Sequence, residues 1–362
     1  MKYINYLSVS LILLLIFACS PREDAQSLDK KNGLGKVFKA IDYLDTMKID
    51  HPLLVSYMLA SNDDFLFSLT DKSDPLVRVF NHKTGRYLGG FGRNGGGPGE
   101  FDRVNRSGFA RDVDNITITD RKHIGSYNVK LEDGEFKSIS QREGRIPGEL
   151  SPLNYAFFLN DSIVVGKKMF SNTLFSSFNL NSGEVADYGE YPDFEPEIPE
   201  AAYHHLYQSQ SRLRPDRKKL AMVFSNFPLL RIIDTEDESS QDIFVLPKNE
   251  QKPIKAAPGG RSVESFELYK YFNRIEVNES FILTKYGERE LVPKSPGSRE
   301  WVSNQLVDEV IKVFDWEGKP VIELQVEEWM TQFTITPDNR VILFHTEMKD
   351  ELYVIDLKKL MD

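Results

Sequence analysis

Cysteine is almost missing from this 362-residue chain: Cys19 is the only one. No intramolecular disulfide can form, and beyond Cys19 neither thiol catalysis nor a thiolate metal site can be built. Bases are in deficit, with 45 Lys and Arg against 55 Asp and Glu and a formal charge of −10. Nucleic-acid phosphates are gathered by clustered cations, so no nucleic-acid partner is expected. No long apolar run follows residue 18, which rules out a polytopic helical membrane protein. Low-complexity tracts are lacking, and a hydrophobic share of 40% is enough for a buried core. Common catalytic signatures are missing too: there is no G-x-S-x-G elbow and no H-E-x-x-H pair.

What is present starts with MKYINYLSVSLILLLIFACS. Lys2 supplies a short basic region, and residues 7–18 form a nearly pure apolar run. A spanning helix needs about 20 apolar residues, so this run reads as a signal segment. It ends at Ile16-Phe17-Ala18-Cys19, which resembles a bacterial lipobox. The resemblance implies a lipoprotein signal peptide over 1–18 and lipidation of Cys19. Residues 19–34 then form a polar, flexible tether. Acyl chains would anchor the body to the cell envelope, with the outer membrane as the expected site.

The remainder repeats. A strand, a Gly-containing turn and a second strand recur as RVFNHKTGRYLGGF (78–91), YNVKLEDGEFKSI (127–139), SFNLNSGEVADYG (177–189) and IKVFDWEGKPVIEL (311–324), with a looser copy at 230–246. Before each comes a strand pair with an Asn or Asp turn, such as YMLASNDDFLFSL (57–69) and YAFFLNDSIVVG (155–166). Two hairpins make a four-stranded antiparallel blade, and six copies make an all-β, six-bladed β-propeller over 35–362. The last copy, LYVIDLKKL at 352–360, stops after one strand. An N-terminal strand at 36–44 is expected to close the ring as the outer strand of the last blade. The only helix the pattern allows lies over 298–313.

Residues 78–136, with the loop FGRNGGGPGEF, resemble NHL-type repeats. The lipobox together with six blades resembles the TolB-like six-bladed propeller lipoproteins of Bacteroidetes. That likeness implies fold and envelope location; such families share no single activity. The Ser-x-Asp-x-Gly-x-Thr-Trp box of sialidase-like propellers does not occur. Lactonase-like propellers hold a divalent cation in the channel, and by analogy Asp71 and Asp120 are metal candidates. The same residues also suit capping of the turn after their strand. No other cofactor is expected.

Meander parity divides the loops between two ends. First-to-second and third-to-fourth turns share one face; second-to-third loops and inter-blade connections share the other. Every long segment belongs to the second kind, so one face is trimmed and the other elaborated. Its candidate binding residues are Tyr191, Phe194 and His204 on the acidic stretch 190–207, Lys255 and Arg261 on the basic stretch 248–261, and Trp301 on 286–306. His204 and His205 on a strand would point to opposite faces. These insertions are expected to contribute little to folding. The glycine run 92–101 lacks the Lys-Ser/Thr of a phosphate loop and reads as a crossover between blades.

The expected function is a lipid-anchored binding or assembly module for an envelope protein or glycan, without catalysis. The alternative is a metal-dependent hydrolase or lyase working in the channel. The anchor has a direct test. A Cys19→Ala chain expressed with a palmitate analogue should take up none of the label; a labelled variant would exclude the lipobox.

Overall fold

The computed structural model describes residues 26–27 and 35–361, apart from 54–57, 71–73, 98–99, 113–114, 133–134, 169–170, 172, 193–197, 247–249, 252–253, 264–268, 297–300, 306–307, 328–329 and 346–350. The signal segment, Cys19, Asp71 and Phe194 lie outside the described residues.

Six sheets stand around one axis. Their innermost strands are Met58–Ser61, Asn105–Asp112, Leu153–Phe158, Ser209–Leu213, Tyr269–Val277 and Met330–Ile335, in blades one to six. These strands touch one another around the ring, and the sixth returns to the first. From each, three further strands step outward as an antiparallel meander. Blade one is typical: Phe65–Leu69, Val77–Asn81 and Tyr87–Phe91 follow the inner strand. Its second strand, FLFSL, is buried throughout, because neighbouring blades cover both of its faces. Phe67, Phe80, Phe158, Phe224, Phe314 and Phe344 are among the large side chains fully buried between blades.

Asn and Asp set the tight turns, as their spacing predicts. Asn62 Oδ1 accepts the N–H of Phe65 at 2.9 Å, Asn160 Oδ1 that of Ile163 at 2.8 Å, and Asn278 Oδ1 that of Phe281 at 2.8 Å. A short side-chain acceptor that replaces a backbone carbonyl at this offset fixes the reversal locally.

The ring is closed by an N-terminal strand, but one further along than 36–44. Asp45–Lys48 is the outer strand of blade six, with Met47 opposite Leu352 and Asp45 opposite Val354. Lys36–Lys39 instead runs parallel along the outer edge of blade five, with Lys36 opposite Ile322. Gly35 allows that approach, since a Cβ there would meet the Val321 carbonyl at 2.2 Å. A helical turn, Ala40–Tyr43, joins the two strands and buries Ala40 against blades five and six. Earlier still, Gln26–Ser27 pairs in parallel with the outer strand of blade four, so this part of the expected tether is an added edge strand.

The segment expected as a helix is extended. Trp301–Gln305 and Val310–Phe314 both pair with the long strand Ile282–Pro293. Val302, Val310, Ile311 and Val313 are β-branched, and a partner strand was waiting for them.

Removing residues 1–34 takes away the two-residue edge pairing of Gln26–Ser27 but no closing strand, and should leave the urea midpoint nearly unchanged. Removing 1–48 takes away Met47, Ala40 and the whole closing strand. That should cost more than about 3 kcal/mol, a large part of a domain's margin. Equal midpoints for the two truncations would contradict closure by Asp45–Lys48.

Candidate functional site

The two ends of the axis differ in chemistry. At the trimmed face, ion pairs cross between blades. Arg111 of blade two reaches Asp63 of blade one at 3.3 Å and Glu279 of blade five at 3.0 Å. Arg217 of blade four meets Asp112 of blade two at 2.6 Å, and Asp112 also accepts from Ser126 Oγ at 2.7 Å. Arg142 and Arg217 share Asp161 of blade three at 3.1 and 3.6 Å. These links lace the trimmed end together.

Deeper along the axis, two guanidiniums share one carboxylate. Glu276 Oε1 accepts from Arg274 at 2.9 Å and from Arg212 at 3.2 Å, and all three side chains are at least nine-tenths buried. Arg274 Nε also donates to the Phe333 carbonyl at 3.0 Å and another of its nitrogens to Gln332 Oε1. The group carries a net positive charge.

Toward the elaborated face the axis widens into a cavity of 620 Å³. Arg274, Tyr155, Lys167, Lys168, His204 and His205 line it, together with amide and hydroxyl side chains from the inner strands. No Asp or Glu is among the described lining residues. Lys167 is the next-to-last residue of the second strand of blade three, Ile163–Lys168. Its ammonium donates to the Tyr207 carbonyl and, at 2.9 Å, to Ser209 Oγ. Burial without a carboxylate pushes its pKa down to about 7. Tyr155 sits at a bulge with φ +49°, a left-handed conformation costly for an aromatic residue. Its phenol is pushed up by burial, against the opposing effect of Arg212 and Arg274.

His204 and His205 lie on a short helix, Tyr203–Leu206, not on a strand. Their rings are therefore 3.9 Å apart between centroids and face the same cavity, contrary to the strand reading. Burial, then the neighbouring His205, lowers the His204 pKa. Asn226 Nδ2 holds this helix by donating to the Leu206 carbonyl at 3.1 Å.

The other candidates are scattered. Tyr191 is half-buried, stacks on Tyr207 at 4.3 Å and donates to the Ser171 carbonyl at 2.9 Å, so it supports the loop. Lys255 and Arg261 are exposed on the next inter-blade connection. Trp301 opens the added hairpin strand opposite Pro293. Asp120 is buried and caps its turn: its Oδ1 accepts the N–H groups of Lys122 and His123, both at 2.7 Å. Its Oδ2 accepts the N–H of Asp102 at 3.1 Å. That is the capping alternative, and Asp120 borders a separate hollow beside the glycine run. Within that run Glu100 Oε2 accepts the Gly97 N–H at 2.8 Å, so the loop's own carboxylate takes the place of an outside anion. Among the described residues no three His, Cys, Asp or Glu side chains are grouped to hold a metal ion.

Sequence reasoning missed Lys167, Tyr155 and Arg274. In YFNRIEV the charges alternate with apolar residues and read as a solvent face. On an innermost strand that face looks along the axis. The inner-strand position of the segment was the available signal.

A ring of six four-stranded blades, laced at one end and open at the other, defines a six-bladed β-propeller with an axial cavity. Residues 40–338 match the family described as TolB-like 6-blade propeller-like, and the chain belongs to that family. Among solved structures it is similar to a member of the DUF4221 family from Bacteroides vulgatus, with 12% identity and a TM-score of 0.55. That match covers 86% of this chain and 95% of the other. It is also similar to a Bacteroides fragilis protein named for its expected export, with 14% identity and a TM-score of 0.54, over 91% of this chain and 99% of the other. At such identities the likeness speaks for the fold. The search of curated proteins found no significant match.

The inter-blade connection 189–208 is not expendable, against the expectation from its polar sequence. Ile198, Ala202, Leu206 and Tyr207 enter the core between blades three and four, and Val263 joins them from the next connection. The acidic and basic loops thus meet through apolar contact. Leu206→Ala should cost about 2–5 kcal/mol in urea unfolding. A loss under about 0.5 kcal/mol would restore the view of a dispensable loop.

Proposed function

We propose that this chain is an envelope binding module, held by a lipid on Cys19, which engages a protein or glycan through its elaborated face. The asymmetry of the axis carries the reading: one end is laced by cross-blade ion pairs, the other opens into a 620 Å³ cavity. Rigid scaffolds display recognition groups on the loops at such a mouth. The lipobox-like Ile16-Phe17-Ala18-Cys19 supports the anchor, and the export implied for the Bacteroides fragilis relative agrees with an extracytoplasmic location. Lys255 and Arg261 are exposed on an inter-blade connection of that face, and Tyr191 braces the neighbouring one. Asp120, one of the two metal candidates, is committed to backbone N–H groups.

The test uses the full-length protein in detergent, immobilised and exposed to envelope extract. Lys255→Glu with Arg261→Glu should reduce retention of the captured partner at least about fivefold. Lys83→Glu, on the trimmed face, should leave retention unchanged. The opposite pattern would assign function to the other end.

A further inference from the structure

The cationic cavity stands out against the charge of the whole chain. With 55 acids and 45 bases, an unselected surface would favour carboxylates. Yet the described lining of the mouth has Lys167, Lys168 and Arg274 and no acid. Glu276, the carboxylate beside Arg274, is already shared by two guanidiniums, and Glu309, behind the lining residue Asn273, is paired with Lys285. Lys167 has three ammonium donors, of which the Tyr207 carbonyl and Ser209 Oγ take two. The third is available to a ligand.

The neutral part of the wall has its own character. Asn105, Ser107, Asn154 and Gln210 present amides and a hydroxyl that donate and accept. Internal bonds fix their orientation: Asn105 Nδ2 donates to Asn154 Oδ1 at 3.0 Å, Ser107 Oγ to Asn105 Oδ1 at 2.7 Å, and Gln210 Nε2 to the Asn273 carbonyl at 2.6 Å. A wall oriented before binding suits ligand hydroxyls, because little ordering remains to be done. A volume of 620 Å³ falls in the range of roughly 300–1,000 Å³ usual for small-molecule sites.

We propose that the channel mouth binds a small hydroxyl-rich carboxylate, of the sugar-acid class, with its anionic group on Lys167 in the positive field of Arg274. The proposal deepens the reading that the elaborated face is the working one. The charged and titratable groups sharing the cavity with Lys167 are Lys168, Arg274, Tyr155, His204 and His205. The Arg274 guanidinium, ion-paired with Glu276, keeps its charge as arginine does, and the Tyr155 phenol, pushed up by burial, is neutral near pH 7, while Lys167 loses its proton there. Binding therefore favours the protonated amine and weakens as pH rises.

The experiment is calorimetric titration of the full-length protein in detergent with D-glucuronate, gluconate, glucose and inorganic phosphate. Either acid should bind with Kd below about 1 mM, and glucose at least about tenfold more weakly. Between pH 6 and pH 8 the affinity should fall about tenfold, following the charged fraction of Lys167. Lys167→Met should weaken the acid at least about tenfold and flatten the pH profile, which separates Lys167 from the two histidines. Failure of both acids to bind, or glucose binding as well as they do, overturns the proposal. Phosphate binding as tightly as the acids overturns the sugar-acid assignment, leaving a bare anion hole. These wild-type comparisons stand even if the variant fails to fold. Acid binding with unchanged partner capture by the Lys255/Arg261 variant would overturn the module reading alone.

Discussion

A ring of sheets stays free of aggregation-prone edges only if its last sheet is completed from the other end of the chain. Here Asp45–Lys48 completes it, antiparallel to Glu351–Asp356. The other features depend on that pairing. It brings the sixth inner strand against the first, and thereby makes an axis with two ends. It also fixes where the preceding residues must run. Before Asp45, Lys36–Lys39 and Gln26–Ser27 give blades five and four each a parallel outer strand.

Once the ring is closed, charge must be arranged around a narrow axis. Buried ion pairs lose much of their Coulombic gain to desolvation, so they seldom add net stability. Their value here is placement. Arg111, Arg217 and Asp112 join blades that are not neighbours in sequence, which fixes the trimmed end against sliding. Arg212 and Arg274 tie blades four, five and six through Glu276 and the Phe333 carbonyl. Carboxylates are consumed at the laced end and in the middle. The mouth is left positive in an acidic protein, a local sign that net charge does not reveal.

The fold was legible because propeller repeats leave regular marks: Asn or Asp turns, glycine turns and alternating strands at a recurring offset. The division into trimmed and elaborated faces was drawn from meander parity alone. Local departures were harder. KVFKAIDYL and DTMK are both plausible outer strands, and only the register with Leu352 decides between them. The hairpin at Trp301–Gln305 was hidden because a weak helical pattern coexists with β-branched residues, and the partner strand settles the choice. The mouth was least legible of all. Lys167, Tyr155 and Arg274 are far apart in sequence, and each looks like an ordinary residue at a strand end or on a polar strand face. What unites them is the axis, which exists only after six blades have closed.

The loop that carries the two histidines shows why mouth and core are not separate parts. Its short helix is held from below by Leu206 and Tyr207 in the inter-blade core and from the side by Asn226. The Tyr207 phenol donates to the Pro192 carbonyl, while its main-chain carbonyl accepts from Lys167. One residue thus packs the core, pins the loop and positions a mouth cation. A polar-looking insertion with this wiring cannot drift relative to the strands, so its side chains act as part of the scaffold. The wall of the mouth is in consequence preorganised, held by the same contacts that stabilise blades three and four.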